Sequence, residues 1–220
     1  MVGPVTPQQV APRGPDQIFV GRSGELHTLR ANLGWAGAGE PRVVLISGPP
    51  GIGKSALIRA FLAEAGSAVR SLSGCGTQAE AAMPFGVLRQ LLEGTDLASA
   101  ALGADTDPFN AGALLVDVLG ILQDSGPVVL TVDDVQWADT PSMRALTFAL
   151  RRLDVDRVLA LMAQDDGSPD LPGAVGQLAG GRGEFLRLGG LDAVALAELA
   201  VRKGAGRLPV AVAERFFHHT

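Results

Sequence analysis

The chain has 220 residues, 47% hydrophobic and 19% charged, with a formal net charge of −5. That length and apolar content suit one α/β domain with a full core and exclude a disordered chain. The acidic balance has the wrong sign for a domain whose own surface grips nucleic acid or an anionic membrane.

In chain order, residues 1–15 carry four prolines and two glycines without apolar periodicity. They read as a flexible lead-in; a signal peptide would need an apolar stretch that is missing there. A helix is predicted from Ser23, with Glu25 in its first turn and Leu26, Leu29 and Leu33 on one face. It is expected to stop at Gly34, leaving Trp35 to Arg42 as a loop. The β-branched run Val43 to Ser47 predicts a strand, followed by a glycine turn and a helix from Lys54 to about Glu64. Val69 to Ser73 is a weaker strand candidate. The single cysteine, Cys75, lies just beyond it among small residues and is expected to be packed and inert; with no second cysteine, no internal disulfide can form. Phe85 to Leu92 and Ala111 to Gln123 have helical spacing. Val128 to Val132 is a continuous apolar strand, Pro141 to Leu153 a helix, Val158 to Ala163 a strand and Phe185 to Leu188 a last short strand. From Asp192, an N-cap, the pattern is helical through Ala200 and again from Val210 to Phe217.

Continuous apolar strands alternating with helices predict a parallel sheet covered on both faces. The domains expected are a lead-in (1–15), a nucleotide-binding α/β domain (16–190) and the beginning of a helical lid (191–220). No run approaches the ~20 apolar residues that span a bilayer, so a cytoplasmic protein is expected. Only Lys54 and Lys203 are lysines among 18 basic residues, and alanine and glycine abound. Those are residues of GC-rich codons, which points to a high-GC bacterial source.

The glycine turn carries the chemistry. Gly48-Pro49-Pro50-Gly51-Ile52-Gly53-Lys54-Ser55 fits G-x-x-x-x-G-K-[ST] at every fixed position. Glycines let the backbone turn tightly, so that successive N–H groups face phosphate oxygens. The helix beginning at Lys54 aims its positive end, with Ala56 in its first turn, at the same place. Lys54 is expected to reach the β- and γ-phosphates of ATP, and the Ser55 hydroxyl to ligate Mg2+. The strand Val128 to Val132 then ends in Asp133-Asp134. Asp133 is expected to hold the magnesium shell, and Asp134 to polarise the attacking water. Trp137 is expected to pack, and Asp139 or Thr140 to cap the next helix with Pro141 in its first turn. His218 and His219 adjoin and so cannot chelate one metal as an i, i+4 pair would. No zinc site or nucleophile–base set is visible.

With these motifs the chain resembles the AAA-like P-loop ATPase domain of STAND-type signal-transduction proteins, and most of all the large ATP-binding regulators of the LuxR class in actinobacteria. The resemblance runs from about Ile18 to Thr220. It is carried by Phe19-Val-Gly-Arg22 with Glu25-Leu26, the glycine turn, Met83-Pro-Phe-Gly86 with Leu88 and Leu91-Leu92, and Val132-Asp-Asp-Val-Gln-Trp-Ala-Asp139. It implies a five-stranded sheet of order 5-1-4-3-2. It also implies that Val20 and Gly21 run beside the adenine, while Arg22 either adds a polar contact there or anchors the following helix. One departure stands out. Relatives commonly place a polar or basic sensor where the fourth strand ends, and here the residues are Gln164-Asp165-Asp166. Gln164 could touch the γ-phosphate, whereas acidic Asp165 cannot stabilise negative charge.

The functional expectation is therefore a switch module of a multidomain bacterial transcription regulator, binding ATP or ADP with Mg2+ and hydrolysing slowly. Its partners would be C-terminal domains of the same, longer chain, with self-association left open and no DNA binding by these residues themselves. The alternatives are a P-loop phosphotransferase acting on a small molecule and a non-catalytic nucleotide-holding scaffold.

Overall fold

The runs read as strands form one parallel sheet. In a computed structural model of the chain, which describes residues 19–95, 102, 106–167 and 181–202, the strands are β1 (Arg42–Gly48), β2 (Arg70–Cys75), β3 (Val128–Asp133), β4 (Val158–Asp165) and β5 (Gly183–Arg187). Their order is β2-β3-β4-β1-β5, the expected order read from the opposite edge. All four pairings are parallel, with Ser47 beside Gln164 and Gly48 beside Asp165 at the β1–β4 ends.

The period of two along each strand sorts the side chains onto two faces. Val44, Ile46, Val129, Leu159, Leu161 and Ala163 pack under α1 (Ser23–Gly37) and α2 (Lys54–Ala65). Their alternates, such as Val43, Leu45, Leu130, Val132, Ala160 and Met162, pack under α3 (Gly86–Leu92), α4 (Pro108–Leu122) and α5 (Thr140–Arg152). Each fully buried aliphatic side chain contributes about 1.5–3 kcal/mol relative to exposure, which is why the three inner strands read as unbroken apolar runs. The edges differ. β2 buries only Leu72 and Gly74, and β5 buries nothing; half-covered strands give a weak apolar signal.

Several boundaries move for local reasons. α1 continues through Gly34 to Gly37, because Ala36 is wholly buried against the sheet and Trp35 stacks on the Arg42 guanidinium at 4.1 Å. Those contacts offset the roughly 1 kcal/mol that a mid-helix glycine costs. Arg42, expected in a loop, is the first residue of β1. α4 begins three residues before Ala111, since the Asp107 carboxylate accepts from Phe109 N and Asn110 N and Pro108 fits the first turn. α6 (Ala193–Arg202) begins where expected, with Ala195 N donating to Asp192 Oδ1 at 2.7 Å. The predicted lead-in, the helix Val210 to Phe217, and His218 and His219 lie outside the described residues. Among the described residues, no helix is long and apolar enough to cross a membrane.

Candidate functional site

The C-terminal ends of β1, β3 and β4 lie side by side, the place where parallel α/β sheets hold their ligands. β1 passes through Pro49–Gly53 into α2. Gly53 has φ +106°, a conformation that only glycine adopts without strain. Gly48 is required for a different reason: a Cβ there would lie 2.9 Å from Leu188 O and 3.0 Å from Ile52 Cγ2. α2 starts with no side-chain cap, so its first N–H groups face the loop as an anion-binding end. Pro49, Pro50 and Gly51 are exposed, while Ile52 packs against the core and Ala56 is half-buried.

Lys54 is 5% exposed, and its ammonium is fully engaged. Nζ donates to Gly48 O at 3.0 Å, Pro49 O at 3.1 Å and Asp165 Oδ1 at 2.5 Å. A buried cation requires such partners, and Asp165 supplies the one full opposite charge among these three.

Asp133 ends β3 on the α2 side of the sheet, where its Oδ1 accepts from Asp134 N at 3.1 Å. Together with Ser55 it lines a cleft of about 250 Å3 between α2 and the β2–β3 edge, shared with Ser73, Thr131, Cys75 and Gln90. A hydroxyl and a carboxylate flanking an uncapped helix end fit Mg2+ on a polyphosphate, because magnesium takes one or two protein oxygens and keeps several waters. The described residues contain no cluster of three or more His, Cys, Asp or Glu that could enclose a metal by themselves. Cys75 is half-buried; burial first, then the negative charges of Asp133, Asp134 and Glu80, pushes its thiol pKa up, so it stays protonated and unreactive at neutral pH.

Asp134 adopts a left-handed conformation (φ +48°, ψ +48°), uncommon outside glycine and tolerated by aspartate. That turn presents its carboxylate to Gln136, whose Nε2 donates to Asp134 Oδ1 at 3.1 Å and lies 3.4 Å from Asp165 Oδ2. Asp165 N in turn donates to Gln136 Oε1 at 3.4 Å. Gln136 thus links the acids at the ends of β3 and β4, a role that its place in the Asp-Asp-Val-Gln run does not reveal. Gln164 lies on the other face of β4, beside Ser47, and its buried Oε1 has no hydrogen-bond partner. At this strand end Lys54 meets Asp165, not Gln164.

Val20 is buried, and Gly21 packs so closely that a Cβ would lie 2.8 Å from Ala195 Cβ at the start of α6. The Arg22 guanidinium pairs with Glu25 at 3.0 Å and donates to Ile52 O at 3.2 Å and Gly189 O at 2.6 Å. It ties the phosphate turn to the segment leading into α6, which goes beyond anchoring its own helix. Asp139, 2% exposed, caps α5 through Ser142 N and also accepts from Phe85 N and Val87 N, at 2.8, 2.8 and 3.1 Å. The Met83-Pro-Phe-Gly86 and Trp137-Ala-Asp139 runs therefore meet on one carboxylate. Trp137, expected to pack, is 41% exposed; the tight 3-10 turn Val135–Trp137 buries Val135 and turns the indole outward.

Comparison with known proteins agrees with this architecture. A family model described as an AAA ATPase domain matches residues 18–161. No curated protein matches the chain in sequence. Among solved structures, the Orc1 protein of Aeropyrum pernix in complex with DNA is similar at a TM-score of 0.60 and 20% identity, covering 91% of this chain and 56% of that one. Cdc6p of Pyrobaculum aerophilum gives a TM-score of 0.61 at 17% identity, covering 93% and 54%. Drosophila ORC bound to DNA gives 0.54 at 18% identity, covering 81% and 45%. The chain thus spans about half the length of the solved chains it matches, and at such identities the likeness is one of fold.

Proposed function

The chain belongs to the AAA ATPase domain family, and from that premise we propose that it is an ATP-binding, slowly hydrolysing switch module of a larger bacterial transcription regulator of the STAND, LuxR-class type. The observation that carries the reading is the buried Lys54 ammonium at the uncapped head of α2, paired with the Asp165 carboxylate that ends β4. A cation, free helix N–H groups and a glycine turn converge there on one small volume, an arrangement suited to the tail of a nucleotide.

Each residue has a definite task in this reading. The turn from Gly48 to Gly53 and the first N–H groups of α2 hold the phosphates, with Lys54 on the terminal ones. Ser55 and Asp133 hold Mg2+, which when bound neutralises phosphate charge. Asp134, oriented by Gln136, accepts a proton from the attacking water. Val20 and Gly21 border the base. Arg22, bonded to both Ile52 O and Gly189 O, passes movement of the turn to α6, and α6 passes it to further domains. The net charge of −5 supports leaving DNA binding to those other domains. A cytoplasmic site of action follows from the nucleotide and the regulatory role.

The test is to identify the nucleotide released from freshly purified protein and to measure hydrolysis alongside. ADP or ATP with slow turnover is the expected result. Protein that neither carries nor takes up adenine nucleotide overturns the reading. Turnover that rises steeply with one metabolite would make the chain a phosphotransferase instead, and ATP retained intact would make it a scaffold.

A further inference from the structure

We infer that Asp165 sets the nucleotide preference of this site: its carboxylate occupies Lys54 in place of a terminal phosphate and so favours a nucleoside diphosphate over a triphosphate. The inference rests on the nucleotide-binding reading above and goes further by assigning the discrimination to one residue.

Lys54 has three N–H donors, and three acceptors meet them: Gly48 O, Pro49 O and Asp165 Oδ1. The two carbonyls belong to the turn itself, five and six residues before the lysine. Asp165 comes from another strand, 111 residues away, and makes the shortest contact at 2.5 Å. For Lys54 to reach a γ-phosphate, this is the contact that must be given up. The exchange is not neutral, because the released carboxylate then faces a second, larger negative group a few ångströms away.

Asp165 is held close to the lysine by its own backbone. Its Cα is paired with Gly48 in the β1–β4 ladder, and Asp166 N donates to Gly48 O at 3.0 Å, so its backbone is fixed beside the phosphate turn. The carboxylate is also steadied by Gln136 on its Oδ2 side. A diphosphate brings only its β-phosphate to Lys54, which a donor released from one of the two turn carbonyls can meet while the Lys54–Asp165 pair persists. Asp166, one residue on, faces Arg187 instead, at 3.0 Å on the exposed rim, and serves as an internal control.

Calorimetric titration of the full chain in magnesium buffer with ADP and with the β,γ-imido analogue of ATP tests the inference, using wild type, Asp165→Asn, Asp165→Ser and Asp166→Asn. The expected result is that both Asp165 variants raise the triphosphate-to-diphosphate affinity ratio by about tenfold, while Asp166→Asn leaves it at the wild-type value. A ratio unchanged in whichever Asp165 variant shows a folded thermal transition, with both nucleotides still binding, overturns the inference and leaves the nucleotide reading intact. Equal shifts in Asp165→Asn and Asp166→Asn also overturn it, since net charge would then be the cause. Wild type that binds neither nucleotide refutes the nucleotide reading, and the inference falls with it.

Discussion

At the scale of single residues, the site is a set of charges that constrain one another. Lys54 is buried with one carboxylate among its three partners, so its removal takes away both the proposed phosphate contact and the partner of Asp165. A charge-assisted contact to phosphate is worth about 1.5–3 kcal/mol, so Lys54→Ala should weaken Mg-ATP binding by about 10- to 100-fold; near-native affinity by calorimetry would contradict the assignment. Asp134 is a different case. Its left-handed backbone and its bond from Gln136 hold the carboxylate in place, and the amide of asparagine fits the same space without being a base. Asp134→Asn should therefore bind ATP normally and hydrolyse it at least 100-fold more slowly, the lower bound for losing general-base assistance. If Asp133→Asn stops turnover while Asp134→Asn does not, the two roles are exchanged.

At the scale of elements, one carboxylate decides how two helices meet. Asp139 caps α5 through Ser142 N and holds Phe85 N and Val87 N at the start of α3, and Leu88 N donates to Ser142 Oγ at 2.9 Å beside it. This buried junction sits next to the turn that carries Asp134 and Gln136. Asp139→Ala leaves three buried N–H groups without their acceptor, which should cost about 3 kcal/mol, visible as a lower urea midpoint at unchanged slope. An unshifted midpoint would mean that water replaces the carboxylate at no cost. Gly76 closes the same junction from below: a Cβ there would lie 2.5 to 2.7 Å from backbone atoms of Asp134, Trp137 and Ala138. Backbone cannot step aside as a side chain can, so Gly76→Ala should displace the 134–138 turn and reduce turnover more than it reduces ATP affinity.

At the scale of the whole molecule, the glycine turn is where the sheet and the segment leading into α6 are tied together. The phosphate turn touches β4 through Lys54 and the α6 segment through Arg22. A ligand present at 100 times its Kd adds about 2.7 kcal/mol, which for a chain of this length is a rise in Tm of about 5–10 °C. At the same concentration Mg-ATP should give that rise in wild type and no more than about 2 °C in Lys54→Ala, as followed by differential scanning fluorimetry. Sequence-specific DNA binding by these 220 residues at physiological salt is not expected from a chain of net charge −5; a footprint on a defined site would reverse the division of labour proposed here.

The fold and the phosphate turn were legible because their signals are local. A continuous apolar run, a helical period or G-x-x-x-x-G-K-[ST] is complete within a dozen residues, and each makes its own structural demand. The β2 and β5 edges were fainter because only one face, or neither, is covered. What the tertiary structure alone decided are the long-range partners: Asp165 for Lys54 across 111 residues, Gly189 for Arg22 across 167, and Phe85 for Asp139 across 54. Strand register governs the first of these, and a shift of one residue exchanges the two faces of a sheet. That is why Gln164, the polar residue that looks like a sensor in the sequence, stands beside Ser47 on the far face, while its acidic neighbour Asp165 is the one that meets the lysine.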